Sequence, residues 1–275
     1  PGTTWLYQHL ASNPDLWFSP EKELNYFFSR YGAFNRLTTD IRADNQTRFL
    51  ERAKKRGATC PAFEAKAEWY RRFTDGPVSA HWYRSLFRDA RDDQWACDFS
   101  PSTALISSRG WAAIARMATE QRFIYVLREP EERLWSHVKF HIAHMGRFDD
   151  LAGMNLTEIN DFIDRYDLAT NGDYGSTLTR MGKHAPRQNI IILNYRDIIE
   201  APDDVLRRVE KFLGIQPTPP ENRPVNKRIN VSRTLQKPPG FGDAYRGRFT
   251  AETQKLLKLG VEFARPWLSL YDDRS

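Results

Sequence analysis

Three features of the sequence predict an α/β fold of three layers, with a central, mainly parallel sheet flanked by helices. Two short, almost wholly apolar runs, Arg-Phe-Ile-Tyr-Val-Leu at 122–127 and Asn-Ile-Ile-Ile-Leu-Asn-Tyr at 189–195, have the composition of strands buried on both faces. Each is preceded by a helical pattern, at 109–121 and 174–184, and followed by another, at 131–144 and 203–213. Strands that alternate with helices in this way pair in parallel and are covered by the helices between them. The chain has 275 residues, 40% hydrophobic and 13% aromatic, with eight Trp, so it holds ample material for a core, and wholesale disorder is excluded. Its length suits one α/β domain with insertions, or two small domains.

The remaining elements follow in chain order. Pro1-Gly-Thr-Thr4 leads straight into a helix at Trp5–Leu10, where Leu6 and Leu10 share a face, and Asn13-Pro14 stops it because Pro14 cannot continue the hydrogen-bond ladder. Leu24–Phe28 is apolar and brief, the pattern of a short strand or turn. From about 37 to 100 the chain is rich in charge and aromatics, with helices expected near 44–57, 61–73 and 78–91. This segment is expected to be a helical insertion packed by Trp69, Tyr70, Trp82 and Tyr83. Gly214 after Leu213 is a helix stop. Prolines 217, 219, 220, 224, 238 and 239 then make the following stretch irregular, before a last helix at about 250–263. No repeat or low-complexity segment interrupts the pattern.

Composition excludes several classes of function. No run approaches 18 apolar residues, so no segment has the pattern of a membrane-spanning helix. Two cysteines, Cys60 and Cys97, exclude a disulfide scaffold and a four-cysteine zinc site, and leave one bridge open. The net charge of +6 is mild, but it is concentrated. Arg223, Lys227, Arg228, Arg233, Lys237, Arg246 and Arg248 stand against the single acid Asp243 between 223 and 248, while the rest of the chain is balanced. That segment is either a solvated basic loop or a cover for a polyanionic ligand.

Three clusters carry chemistry. Gly2-Thr3-Thr4 before a helix combines close backbone approach, two hydroxyls and outward-facing N–H groups, which suits an anion; Thr4 as an ordinary helix cap is the plainer alternative. The Lys-Ser/Thr pair that holds a triphosphate and Mg²⁺ is absent from these residues. Arg128 stands at the carboxyl end of a buried strand, the edge where open α/β sheets bind ligands, and Pro130 with Glu131 and Glu132 starts the next helix. Ser136 lies about two turns into that helix; a salt bridge at Arg128 and a neutral serine are the alternative. In Lys22-Glu23 ahead of Tyr26-Phe27-Phe28, a carboxylate in a partly desolvated pocket would suit a general base, against the commoner surface Lys-Glu pair.

Together, in this order and spacing, the clusters resemble the sulfotransferases that use 3′-phosphoadenosine 5′-phosphosulfate, particularly the carbohydrate and bacterial types. The family's phosphosulfate loop, K-x-G-T-T/S, is matched by Pro1–Thr4, and its K-E-x-x-[FY]-F element by Lys22–Phe27. Its 3′-phosphate element, R-x-P-x-x-R-x-x-S, is matched by Arg128, Pro130, Arg133 and Ser136. Asp98-Phe-Ser-Pro-Ser102, Gly172-Asp-Tyr174 and Phe212-Leu-Gly-Ile215 are weaker echoes of the family.

The resemblance implies a P-loop NTPase-like fold and a single sulfotransferase domain over 1–275. It implies that Gly2, Thr3, Thr4, Trp5 and Leu6 hold the 5′-phosphosulfate, that Arg128 and Ser136 bind the 3′-phosphate, and that Glu23 is the base. Arg228, Arg233 and Lys237 are the candidates of a nucleotide-covering loop at about 223–248. The reaction it implies is in-line sulfuryl transfer to a hydroxyl, or an amine, of a carbohydrate-like or small-molecule acceptor, releasing 3′,5′-adenosine bisphosphate with no metal required. The family's loop lysine would immediately precede Pro1, and its first strand is expected upstream as well, as is any leader or anchor. The few cysteines and the bacterial-type motifs point to a cytoplasmic enzyme. A P-loop kinase and a basic module for nucleic acid or other polyanions are the competing readings.

His137, His141 and His144 recur at one-turn spacing and superficially resemble metal ligands, but no acid or cysteine motif accompanies them. Asn45, Asn155 and Asn230 head glycosylation-type triplets of a frequency close to chance.

Overall fold

The computed structural model describes residues 2–55, 61–219 and 235–272, and the chain divides into two compact units. The first comprises the described residues of 1–5, 122–213 and 224–275, and the second those of 6–121 and 214–223. Helices predominate in both. Among the described residues, the strands form two parallel pairs.

In the first unit, β3 (Phe123–Leu127) and β4 (Ile190–Asn194) pair in parallel, Phe123 opposite Ile190 and Leu127 opposite Asn194. Arg122 continues the register by donating from Nη1 to Asn189 Oδ1 at 3.2 Å. A parallel pair needs a long crossover. It is made here by α7 (Pro130–His144), α8 (Leu156–Arg165) and α9 (Tyr174–Gly182). α7 starts where Glu129 accepts from the amides of Glu131 and Glu132 at 2.8 and 2.7 Å, and Pro130, lacking an N–H, opens the first turn. Leu134, Trp135, Val138 and Ile142 are its buried stripe. After β4 come α10 (Tyr195–Glu200) and α11 (Pro202–Leu213), which ends at Gly214 with a left-handed φ of 68°. The expected last helix is two: α12 (Arg246–Lys258) starts earlier and stops before Gly260, and α13 (Arg265–Asp272) follows.

In the second unit, β1 (Leu16–Phe18) pairs in parallel with β2 (Trp95–Cys97). Asn13 Nδ2 donates to Gln216 O and Thr218 Oγ1, both at 2.9 Å, and so fixes the segment after α11 to this unit. Between the strands lie α2 (Tyr26–Tyr31), α3 (Thr39–Lys55), α4 (Pro61–Thr74) and α5 (Ala80–Ser85), and α6 (Ser108–Ala115) follows β2. The aromatic packing expected of the insertion is present. Trp69 stacks on Phe73 at 5.2 Å, Tyr26 on Tyr83 at 4.5 Å and Phe49 on Tyr70 at 4.6 Å. Two expectations are corrected: 24–28 enters a helix, because Asn25 turns left-handed and starts α2, and the insertion is not wholly helical, because it closes with β2. α1 (Thr3–Leu10) begins with residues of the first unit and continues with residues of the second. Among the described residues, no helix is long and apolar enough to cross a membrane.

Candidate active site

In the first unit, Gly2 adopts a φ of 72°, and a Cβ there would lie 2.8 Å from Ile198 Cδ1 and 3.3 Å from Tyr195 Cδ2. Only glycine accepts both that conformation and that approach. Thr3, Thr4 and Trp5 of this unit then open α1, the end of a helix that favours anions, and Leu6, the next residue of the helix, is counted with the second unit.

Strand register builds the second part of the site. Leu127 faces Asn194, so the residues that leave the two carboxyl ends, Arg128 and Tyr195, are neighbours, and the Arg128 guanidinium sits 5.0 Å from the Tyr195 ring centre. The Arg128 backbone N–H donates to Tyr174 Oη at 3.3 Å, which gives Gly172-Asp-Tyr174 a part in the site. Arg128 Nη2 reaches back to Glu132 on the first turn of α7 at 3.1 Å. Ser136 is one turn beyond Glu132 and Lys139 almost another, so the three follow one face of the helix. Burial first, and then the positive charge of Arg128, pull the Lys139 pKa below the usual lysine range, with Glu132 opposing. Lys139 therefore belongs to the same electrostatic cluster as Arg128.

Lys237 completes the cluster, with Nζ 2.7 Å from Glu131 Oε1 and 2.6 Å from Glu132 Oε1. Burial works against the Lys237 charge, but the hydrogen bonds to Glu131 and Glu132 outweigh it and raise the ammonium pKa. Burial likewise opposes the Glu132 carboxylate, and the bond and charge of Lys237, with Arg128, carry its pKa below the usual range. Glu132 thus bridges two cations that sequence reasoning put at an anion site. Arg133, the other motif arginine, donates from Nη2 to Asn171 Oδ1 at 3.3 Å. Arg228 and Arg233 lie outside the described residues.

In the second unit, Glu23 and Asn25 both have left-handed backbones, φ 63° and 54°, around Leu24, which is buried. Glu23 itself is exposed rather than partly desolvated, because the turn buries Leu24 and Asn25 beneath it. Its neighbours are half-buried: Tyr70 Oη donates to Glu21 Oε2 at 2.7 Å, and Lys22 Nζ lies 5.8 Å from the Tyr7 ring centre. Burial raises the Glu21 carboxyl pKa and lowers that of Lys22. Beneath the turn, Asp98 accepts from Tyr83 Oη at 2.9 Å and from Ser100 Oγ at 2.5 Å.

The histidines of α7 make ring contacts. His137 and His141 are 6.0 Å apart, His141 packs on Tyr166 at 4.8 Å, and His144 stacks on Phe140. Burial pushes the His137 pKa down to about 4, assisted by the charge of Arg133. Among the described residues, no group of three or more His, Cys, Asp or Glu is arranged to hold a metal ion. Burial pushes the Cys97 thiol up to about 12; Cys60 lies outside the described residues.

Glu132, Lys139 and Tyr195 escaped the sequence reading. Two of them left a signal, the four-residue spacing from Arg128 to Glu132 and the three-residue spacing from Ser136 to Lys139, whereas Tyr195 needed the register of β3 against β4.

The model of a family described as the sulfotransferase family matches residues 1–220. The chain belongs to that family. Its fold is shared with solved sulfotransferases. That of Alicyclobacillus acidocaldarius is 16% identical, with a TM-score of 0.58, over 94% of this chain and 90% of the other. The sulfotransferase domain from the curacin biosynthetic pathway is 17% identical, with a TM-score of 0.54, over 85% and 77% of the two chains. The sulfotransferase domain of the Synechococcus PCC 7002 olefin synthase is 17% identical, with a TM-score of 0.51, over 89% and 83%. The mixed α/β architecture, mostly helical with parallel strands, is that of the sulfotransferase fold and is consistent with the expected P-loop-like one, although among the described residues the strands form two parallel pairs and not one continuous central sheet. No curated protein matches the sequence.

Proposed function

We propose that this sulfotransferase takes its sulfuryl group from 3′-phosphoadenosine 5′-phosphosulfate and transfers it to a hydroxyl, or an amine, of a carbohydrate-like or small-molecule acceptor, with 1–275 acting as one sulfotransferase domain. The observation that carries the donor assignment is the cluster at the carboxyl end of β3, where Arg128 and Lys237 both pair with Glu132, one turn before Ser136 on α7, and Lys139 lies within the field of Arg128. Three cations and a hydroxyl suit a dianionic phosphate monoester such as the donor's 3′-phosphate, a group that ATP lacks. Gly2, too crowded for any side chain, with the first turn of α1, fits the 5′-phosphosulfate.

When bound, the donor supplies an already activated sulfuryl group on a phosphate leaving group. The residues of this chain have correspondingly simple tasks. Arg128, Ser136, Lys139 and Lys237 would hold the 3′-phosphate, with Glu132 giving up its cations to it. The amides of Thr3–Leu6 and the Thr3 and Thr4 hydroxyls would stabilise charge on the departing phosphate. Glu23 would take the proton of the acceptor hydroxyl as its oxygen attacks sulfur. Calorimetry with 3′,5′-adenosine bisphosphate, ATP and a short oligonucleotide tests the reading. Selective binding of the bisphosphate, weakened in Arg128→Ala, is expected. Binding of the oligonucleotide alone, with a steep salt dependence, would replace it with a polyanion-binding role, and preference for ATP with a kinase-like one.

A further inference from the structure

We propose that Ser100 and Asp98 are positioning residues for Glu23, which they act on through Asn25; the inference rests on the reading of Glu23 as the base. The chain of contacts is continuous and lies wholly within the second unit. Tyr83 Oη and Ser100 Oγ both donate to the Asp98 carboxylate, at 2.9 and 2.5 Å. The Asn25 backbone N–H donates to Ser100 Oγ at 2.9 Å, and Asn25 Nδ2 donates to the Glu23 carbonyl at 2.7 Å.

The chemistry of each member fits its place. A carboxylate only accepts, so Asp98 accepts a hydrogen bond from each of the two hydroxyls. That turns the Ser100 hydrogen away from Asn25 and leaves an oxygen lone pair for the Asn25 N–H. An amide at position 98 would present one donor where an acceptor is required. The members are anchored: Asn25 and Ser100 are buried, and Tyr83 is stacked on Tyr26, the first residue of α2.

The turn needs such support. Glu23 and Asn25 are two of the three non-glycine residues with positive φ among the described residues, and they stand two positions apart. A left-handed backbone is unfavourable for Glu and, more mildly, for Asn, and two so close together persist only where their surroundings impose them. Without Ser100 Oγ, the buried Asn25 N–H loses its acceptor, and the turn has every reason to relax. Glu23, whose carbonyl is tied to the Asn25 side chain, moves with it. A shift of about 1 Å in a reacting group costs up to about a hundredfold in rate.

The experiment compares wild type, Ser100→Ala, Tyr83→Phe, Leu37→Ala and Glu23→Gln. Radiolabelled donor is offered with a panel of a simple sugar, a phenol, an alkyl alcohol and an amine, and the best acceptor is kept. Leu37 is buried in the same unit but takes no part in the chain, so Leu37→Ala reports general destabilisation. Ser100→Ala is expected to lower kcat about 10- to 100-fold, with donor KM and bisphosphate Kd within about twofold of wild type and kcat of Leu37→Ala preserved. If Ser100→Ala does not fold, Tyr83→Phe carries the test, with a kcat loss of about threefold or more at unchanged KM. A kcat within twofold of wild type, or an equal loss in Leu37→Ala, overturns the inference. Glu23→Gln separates the two readings: if it is inactive while Ser100→Ala is normal, only the positioning role fails. If it remains active, or if the wild type sulfates no member of the panel, the base assignment fails and takes this inference with it.

Discussion

Glu132 and Arg128 make opposite predictions for nucleotide binding. Arg128 is paired with Glu132 at 3.1 Å, and the two side chains are 24% and 42% exposed, so their mutual attraction is that of a partly solvated pair, about 0.5–1 kcal/mol. A charged hydrogen bond from Arg128 to a phosphate contributes about 1.5–3 kcal/mol. The phosphate must displace Glu132, so the net contribution of Arg128 is about 1–2 kcal/mol. Arg128→Ala should therefore weaken 3′,5′-adenosine bisphosphate binding roughly 5- to 30-fold. Glu132→Gln removes the competitor at both Arg128 and Lys237, and should tighten binding about 2- to 5-fold. The two changes should not add, because much of the competition exists only while Arg128 is present. Titration calorimetry at about 0.15 M salt reads Arg128→Ala, Glu132→Gln and the double variant that combines them. Wild-type affinity in Arg128→Ala, or weaker binding in Glu132→Gln, would show that these two side chains do not meet the nucleotide.

Three other expectations follow from the geometry. Gly2→Ala places a Cβ 2.8 Å from Ile198 Cδ1 at a φ of 72°, and should cost about 1–3 kcal/mol in urea denaturation while weakening bisphosphate binding; a loss below about 0.5 kcal/mol would contradict the close approach. Trp69 is 1% exposed, stacks on Phe73 and donates to Leu86 O at 2.7 Å, so Trp69→Ala should lose about 3–5 kcal/mol and Trp69→Phe distinctly less. His137 is held neutral by burial, its pKa down to about 4 against an ordinary value of 6.5. Between those values the unfolded chain binds a proton that the folded one refuses. Stability should therefore fall by about 1–3 kcal/mol as pH drops through that window and change no further from this group below it. His137→Leu should flatten that part of the stability–pH curve, and an unchanged curve would show that the ring is accessible.

Much of the fold was legible because its strongest signals are local. The runs 123–127 and 190–193 are uninterrupted apolar or aromatic stretches, and α7 announces itself through Pro130 and two acids. β1 and β2 have three residues each, too few for any periodicity to emerge. α2 was hidden because its start depends on a left-handed Asn25 whose N–H is held by Ser100, 75 positions away. At Asn155 the sequence carried a legible signal of a different kind. The glycosylation-type triplet is the head of a capping box, Asn155 accepting from the Glu158 N–H at 3.0 Å and Glu158 from the Asn155 N–H at 2.8 Å.

The site divides in the same way. Arg128 and Ser136 stood out because the strand end and the helix spacing are both written locally. The pairing of Lys237 with Glu131 and Glu132 spans 106 positions or nearly so, and the charge count over 223–248 gave only its sign. Glu23 was visible as a motif, whereas the turn that exposes it is a product of backbone conformation.

The claim that the chain moves a sulfuryl group with Glu23 as base is tested most directly by Glu23→Gln. Transfer of labelled sulfate from 3′-phosphoadenosine 5′-phosphosulfate to the best acceptor of the panel should fall at least about a hundredfold, while 3′,5′-adenosine bisphosphate binds as in wild type. Unchanged transfer in that variant would contradict the account.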